Sequence, residues 1–309
     1  MTNQIVAFEG LLDARQNPLN AEVRAGKVLS LAGDAAQRVI YSRLQGYPAA
    51  QLLSREVYEF YSNDLSYIES SDFTSTLYAI HLQHDPVALE SAVIQLQLGT
   101  DRTVEALTHE LLHLRLIMLG FPFGELIEIP MHLDHHARDL IRMSNWVANM
   151  VQHEMIFEEF MVLGFDGKLF LDDHQTPVNY QKLFVSRCQN THAGEVDFSR
   201  WCIEYIKHVC SARHGGSKDH SRYAQDALSW GSRLHPELKQ TAAEIDRWVE
   251  TGAFKDPAHY PRQVNLLLEF MRIPEFTGWV TLKRSEQRKT IAVRLDTQEN
   301  LEHATHSAW

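Results

Sequence analysis

The apolar positions of the chain change their spacing several times, and each change predicts a different kind of element. Between 101 and 120 the residues are apolar enough for a buried helix, with Thr100 or Asp101 as its N-cap and Gly120 as its end. The stretch Ala92–Leu98 alternates apolar and polar residues, which is typical of a strand. The sequence therefore predicts a strand that leads into a buried helix.

The N-terminal part mixes helical and strand patterns. Two helices are predicted, over 20–31 and 34–44, after a short arm at 1–18. Segments rich in β-branched and aromatic residues then predict strands, at least partly antiparallel, over 57–61, 65–68, 76–82 and 92–98. The segment that follows Gly120 contains two prolines and is interpreted as a loop.

The pattern of the C-terminal part is mostly helical. It predicts helices over 135–163, 199–212, 222–232 and 236–250, an irregular segment over 165–200, and paired strands over 278–283 and 290–295. The whole chain is therefore predicted to be α+β and mainly helical, with a small mixed sheet, extra C-terminal helices and a β-hairpin. We place a boundary after 175, with 1–175 as the core and 176–309 packed on it.

Composition and charge narrow the function classes. The net charge of −11 argues against a nucleic-acid-binding surface, and 44% hydrophobic residues allow a sizeable core. Apolar runs stay below transmembrane length, and the N-terminus lacks the features of a signal peptide. Cys188, Cys202 and Cys210 lack CxxC spacing and are interpreted as reduced core thiols. These features predict a cytoplasmic protein that binds neither membrane nor nucleic acid.

The helix predicted at 101–120 carries the candidate chemistry. His109 and His113 lie four residues apart, about 40° from each other around the helix axis, so both imidazoles can face one ion. Glu110, next to the first histidine, can reach a water molecule at that ion and act as a general base. This HExxH pattern is the arrangement of the zinc hydrolases.

The predicted helix 135–163 offers the third ligand. His153 lies at the centre of its apolar face, and these residues fall within about 80° of it: Trp146, Asn149, Met150, Ile156, Phe157, Phe160, Met161 and Leu163. Glu154 lies about 100° away, near the edge of that face. We favour His153, because a neutral imidazole avoids a second buried carboxylate beside Glu110, and Glu154 stays the alternative. A further alternative is that neither residue binds metal and His153 is a buried histidine bonded to Asn149 or to a carbonyl.

A second polar cluster precedes this helix. His132, Asp134, His135 and His136 are close together in sequence, as in some metal sites. We interpret them as the solvated start of the helix, with Asp134 as its N-cap.

With His109, Glu110 and His113 on a helix that follows mixed strands, the chain resembles the HExxH zincin metallopeptidases. The resemblance stays at the superfamily level, because Gly120 is followed by Phe-Pro-Phe and not by the further histidine of the metzincins. It implies a zincin-like metal-binding core at 1–175, bound Zn²⁺, and hydrolysis of peptide bonds in an intracellular protein or peptide.

Two other functions are compatible with the same residues. One is a non-catalytic zincin-like protein that binds metal or a partner, and the other is a zinc hydrolase of a non-peptide amide or ester. Zinc, water and a carboxylate serve peptide and non-peptide hydrolysis alike. An oxyanion-stabilising group is expected in the C-terminal half, with Tyr223, His214 and His220 as candidates. The sequence does not indicate an oligomeric state.

Overall fold

The computed structural model describes residues 2–6, 29–73, 75–83, 88–99, 101–171, 195–214, 218–285 and 290–295. In these residues the protein is α+β and mainly helical, with two small sheets, one of them mixed. The predicted fold class is confirmed at this level. The predicted boundary between 175 and 176 lies outside the described residues and stays a prediction.

The helices and strands follow one another in mixed order along the chain. The α-helices are α1 Gly33–Arg43, α2 Pro48–Tyr61, α3 Thr103–Met118, α4 Ala137–Val162, α5 Gly167–Leu171, α6 Glu195–Arg213, α7 Lys218–Leu234, α8 Leu238–Thr251 and α9 Tyr260–Phe270. The strands are β1 Thr2–Val6, β2 Leu29–Ala32, β3 Leu65–Ser70, β4 Leu77–Gln83, β5 Ala88–Gln97, β6 Phe123–Pro130, β7 Phe276–Arg284 and β8 Thr290–Leu295. Short 3₁₀ helices cover Ser62–Asp64, Met131–His136 and Ala253–Lys255.

The chain forms two compact units. The first, which we call the sheet unit, comprises 6–125, 158–165 and 278–309. The second, the helical unit, comprises 1–5, 126–157 and 166–277.

The mixed sheet of the sheet unit has the strand order β2-β3-β5-β4. Strand β3 pairs with β5 in parallel, and β2 and β4 add antiparallel edges. Because side chains alternate between the two faces of a strand, the register places Tyr67, Ile94 and Tyr78 in one row. The opposite face carries a small apolar cluster of Ile68, Ala79 and Val93. Helix α3 packs against β4 and β5.

Helix α3 carries the HExxH pattern and is buried along most of its length. Every residue from Leu107 to Leu114 is buried, so both polar and apolar faces of this segment lie inside the protein. Arg115 anchors its C-terminal end, with ion pairs to Glu56 at 3.0 Å and to Glu159 at 2.7 Å. The helix then stops before Gly120, whose φ of 94° favours glycine, and the predicted end is confirmed.

The helical unit is built on α6 and α7, which contact each other extensively. Its core contains these buried aromatic and aliphatic side chains: Phe198, Trp201, Ile206, Ala227, Leu238, Ile245, Phe254, Tyr260, Leu267 and Leu268. Two contacts between buried polar side chains link these helices. His208 of α6 contacts His220 of α7, and Asp197 of α6 contacts His235, the residue directly after α7.

Three predicted elements were wrong. Residues 57–61 belong to helix α2 and do not form a strand, because Pro48 starts the helix and Leu53, Val57 and Tyr61 recur at helical spacing on its buried face. The segment after Gly120 forms β6, with its two prolines at the boundaries of the strand instead of in a loop.

The end of the predicted helix 20–31 is also wrong, since Leu29–Ala32 form strand β2; the rest of that helix lies outside the described residues. The sequence reasoning also missed β1, α5 and α9, of which α9 has Pro261 in its first turn. The C-terminal hairpin is confirmed, with Trp279 opposite Leu295 in an antiparallel pair.

Candidate metal centre

His109 and His113 face the same side of α3, as their spacing predicts. Their rings stack with centroids 4.8 Å apart, and the two Nε2 atoms are separated by 3.0 Å. The exposed fractions of the two side chains are small, 7% for His109 and 1% for His113. The helix therefore presents two buried nitrogen donors that converge on one point.

His153 completes a group of three buried histidines with this pair. One ring nitrogen from each of His109, His113 and His153 lies within 4.8 Å of the other two. In the described part of the chain, this is the one set of three or more His, Cys, Asp or Glu side chains close enough to share a metal ion. The position of His153 at the centre of the apolar face of its helix is compatible with this arrangement, and its role as a metal ligand stays a prediction.

The donor set fits a borderline-soft transition metal. Neutral imidazoles suit Zn²⁺, Cu²⁺, Fe²⁺ and Ni²⁺, whereas Mg²⁺ and Ca²⁺ prefer oxygen ligands. Two imidazole nitrogens on a tetrahedral zinc, each at about 2.0–2.1 Å, are about 3.3 Å apart. The 3.0 Å separation of the His109 and His113 nitrogens is close to that value. Three histidines leave a fourth tetrahedral position for a small ligand, as in catalytic sites.

Tyr78 of β4 fixes the orientation of the His113 ring. The two rings stack with centroids 4.8 Å apart and planes only 18° apart. Because β4 pairs with β5, which also packs on α3, the sheet holds both the helix and this ring. The sequence analysis did not identify Tyr78 as part of the site. Side chains alternate along β4, so Tyr78 lies on the same face of the strand as the buried Ile80.

Glu110 is buried beside the first histidine, with 7% of its side chain exposed. Its neighbours Leu111 and Leu112 are also buried, so this carboxylate lies in a largely apolar stretch of helix. A carboxylate in such a place requires a cation or hydrogen-bond donors near it. A dication held by His109 and His113 would supply that positive charge.

Glu154, the alternative third ligand, has other partners. Nε2–H of His214 donates to its Oε1 at 2.9 Å, and Nη1 of Arg213 lies 3.6 Å from its Oε2. Its side chain is only 5% exposed and that of His214 16%, so this hydrogen bond is largely shielded from bulk solvent, whereas 46% of the Arg213 side chain is exposed. The carboxylate is thus engaged at the C-terminal end of α6 and is not a member of the three-histidine group.

The three candidates for oxyanion stabilisation occupy two places in the helical unit. His214 contacts Glu154, as described. His220 is buried and pairs with His208, with their Nδ1 atoms 3.0 Å apart, and the Tyr223 ring packs near both. Sequence reasoning missed His208, since no local spacing connects it with His220.

The described thiols of the helical unit are buried and lie outside the three-histidine group. Cys202 and Cys210 are buried and free of disulfides, and Cys188 lies outside the described residues. Burial raises the pKa of the Cys210 thiol well above its usual value, and the nearby Glu154 carboxylate raises it further. Burial also raises the pKa of the Cys202 thiol. Burial thus disfavours the thiolate form of both sulfurs, and neither sulfur belongs to the three-histidine group.

The polar cluster before α4 lies in the 3₁₀ helix Met131–His136. His132 and His135 are exposed, which agrees with their interpretation as a solvated helix start. Asp134's side chain lies outside the described set, so its capping role stays a prediction.

Of the helices in the described part of the chain, none combines the length and the apolar character needed to cross a membrane. Comparisons with protein-family models, with curated proteins and with solved structures found no match.

Proposed function

We propose that this protein is a zinc-dependent hydrolase that cleaves peptide bonds in a protein or peptide. The observation that carries the proposal is the group of three buried histidines, with Glu110 directly beside one of them on the same helix. The HExxH pattern and the mixed sheet that leads into α3 support a relationship to the zincin metallopeptidases.

In this proposal His109, His113 and His153 hold Zn²⁺ through one ring nitrogen each. The bound ion would lower the pKa of a water molecule and polarise the scissile carbonyl. Glu110, directly beside His109, would serve as the general base that accepts a proton from water on a carboxylate oxygen and then as the acid that returns it to the nitrogen of the leaving amine. Tyr78 keeps the His113 imidazole in a fixed plane through ring stacking.

The contacts of Glu154 support His153 as the third ligand. A ligand carboxylate would have to give up the hydrogen bond from His214 and the nearby Arg213 cation. Loss of the His214 hydrogen bond would cost free energy, because this contact is largely buried, whereas Arg213, with 46% of its side chain exposed, would be solvated by water. One ring nitrogen of His153, by contrast, already lies within 4.8 Å of a ring nitrogen of His109 and of His113.

Metal content and ligand identity test the proposal directly. Protein purified without chelator and then incubated with Zn²⁺ is expected to hold one zinc per chain by elemental analysis. An anomalous-scattering map at the zinc edge should place it between the three imidazoles. No zinc under either condition would remove the metalloenzyme proposal.

Hydrolysis is tested separately from metal binding. A library of fluorogenic peptides, together with amide and ester substrates, should show cleavage that 1,10-phenanthroline stops and Zn²⁺ restores. Glu110→Gln is the matched control, because it keeps the three histidines. Cleavage of esters or small amides alone would favour the non-peptide hydrolase, and zinc binding without any cleavage would favour a non-catalytic metal protein.

A further inference from the structure

The His153 imidazole lies against a chain of aromatic rings in the helical unit. The Phe170 ring meets it edge-on, with centroids 5.2 Å apart and planes at 73°. Phe157 meets Phe170 edge-on at 5.3 Å, and the His214 ring lies 4.0 Å from Phe157. We call Phe157, Phe170 and His214 the aromatic bracket. Edge-to-face contacts of this kind restrict ring rotation.

A buried carboxylate fixes the outer end of the aromatic bracket. Glu154 accepts a hydrogen bond from His214 Nε2 at 2.9 Å, and Arg213 Nη1 lies 3.6 Å from its other oxygen. Charge-assisted hydrogen bonds are stronger than neutral ones, and burial makes their loss costly. The bond thus ties the C-terminal end of α6 to α4 at the residue next to His153.

A small cavity lies beside these side chains. His153, Glu154, Phe170 and His214 all line it, and its volume of about 10 Å³ is enough for about one water molecule. His214 and Glu154 are thus close neighbours of His153 and Phe170.

We propose that His214 is a positioning residue: held by Glu154 and seated on Phe157, it sets the imidazole of His153 in the orientation that binds the metal. The inference rests on the proposed metal site and adds the group that prepares its third ligand. Partners outside the coordination sphere orient metal-binding histidines, and their removal typically weakens metal binding about 10–100-fold.

The same two helices carry a matched control pair. Asp139 of α4 and Arg200 of α6 form an ion pair at 3.0 Å, with 43% of each side chain exposed. Met150 of α4 contacts Cys210 of α6 at a point between this ion pair and the Glu154–His214 hydrogen bond. Contacts therefore follow the same order along both helices, so α4 and α6 run side by side in the same direction. An exposed pair contributes little, about 0–1 kcal/mol, and this one is far from His153 along the helix.

The experiment measures Co²⁺ and Zn²⁺ binding to the full chain and the visible absorption spectrum of the cobalt-loaded protein. His214→Ala is expected to weaken binding about 10–100-fold and to change the cobalt bands, because the ligand field reports the orientation of His153. Asp139→Ala should leave both unchanged. Thermal unfolding of the metal-free proteins shows whether each variant is folded. If His214→Ala does not fold, His214→Gln, which keeps a donor for Glu154, is expected to show a smaller change in the same direction.

Two outcomes would overturn the inference alone. One is a folded His214 variant with the parent's metal affinity and cobalt spectrum. This result would show that the His214–Glu154 hydrogen bond stabilises the fold only and does not orient His153. The other is a Glu154→Ala variant that loses metal as completely as His153→Ala, which would make Glu154 a ligand. A parent protein that binds neither Co²⁺ nor Zn²⁺ would instead overturn the proposed function, and this inference with it.

Discussion

Two pairs of buried histidines in this protein have the same separation but different surroundings. On α3, Nε2 of His109 and Nε2 of His113 are 3.0 Å apart. Between α6 and α7, Nδ1 of His208 and Nδ1 of His220 are also 3.0 Å apart. A short distance between two imidazole nitrogens therefore does not by itself identify a metal centre.

The third side chain distinguishes the two pairs. In the described residues, His153 joins the α3 pair to make a group of three, whereas the His208–His220 pair belongs to no such group. Near His208 lie the Glu204 carboxylate, 3.9 Å from its Nε2, and the Tyr223 ring. One Nδ1–H can donate to the other Nδ1, so this pair serves as a hydrogen bond between two helices.

The largest expected effect comes from removing one histidine of each pair. His113→Ala should weaken zinc binding on the order of a hundred- to a thousandfold, since structural sites gain about 10–16 kcal/mol from four ligands. His208→Ala should bind zinc like the parent. Isothermal titration with Zn²⁺ measures both. Equal losses of zinc affinity in the two variants would show that the presence of His153 does not distinguish the metal binding of the two pairs.

Next in size is the effect of Glu110→Gln, which tests what the carboxylate adds to the α3 pair. The amide is nearly isosteric but cannot accept a proton at neutral pH, so hydrolysis should fall by about 10²–10⁴-fold while zinc remains bound. Steady-state kinetics with a cleaved peptide, together with zinc analysis, measure the two effects. A variant with the parent's turnover would exclude Glu110 as the base.

The contrast between the pairs also shows what the sequence could predict. The α3 pair depends on a spacing of four residues within one helix, and the end of that helix depends on Gly120, so both are local. The choice of His153 used the apolar face of one long helix together with the need of an HExxH pair for a third ligand. Local patterns therefore identified the three histidines that the structure brings together, and their role as metal ligands stays a prediction.

Contacts between distant segments were not predictable in the same way. Tyr78 stacks on His113 across 35 positions, and His208 meets His220 through the packing of two helices. No local pattern among the 17 histidines indicates that His208 meets His220. The error at residues 57–61 has a different, local reason: the β-branched and aromatic composition was followed, although Leu53, Val57 and Tyr61 recur at helical spacing.

The third effect concerns stability. His208→Ala takes away the hydrogen-bond partner of the buried His220 Nδ1, and His208 itself is fully buried. We expect a loss of about 1–3 kcal/mol in the free energy of unfolding, measured by urea denaturation of the metal-free protein. His113→Ala should instead lower only the additional stability that bound zinc provides. If this variant lost a similar free energy of unfolding in the metal-free state, the different roles assigned to the two pairs would be contradicted.

The smallest expected effect is on the pH dependence of stability. It comes from a single histidine outside the two pairs. Burial lowers the pKa of the His81 imidazole in β4, and the Glu90 carboxylate only partly offsets this. Below the unfolded-state pKa of about 6.5, the unfolded chain therefore binds a proton more readily than the folded one. The free energy of unfolding should fall as the pH decreases through that value. Urea denaturation with chelator present, at about pH 7.5 and about pH 5, should show a smaller fall for His81→Gln than for the parent. If the free energy of unfolding fell equally in the parent and in His81→Gln, the pH dependence would come from other groups, among them the buried histidines of the two pairs.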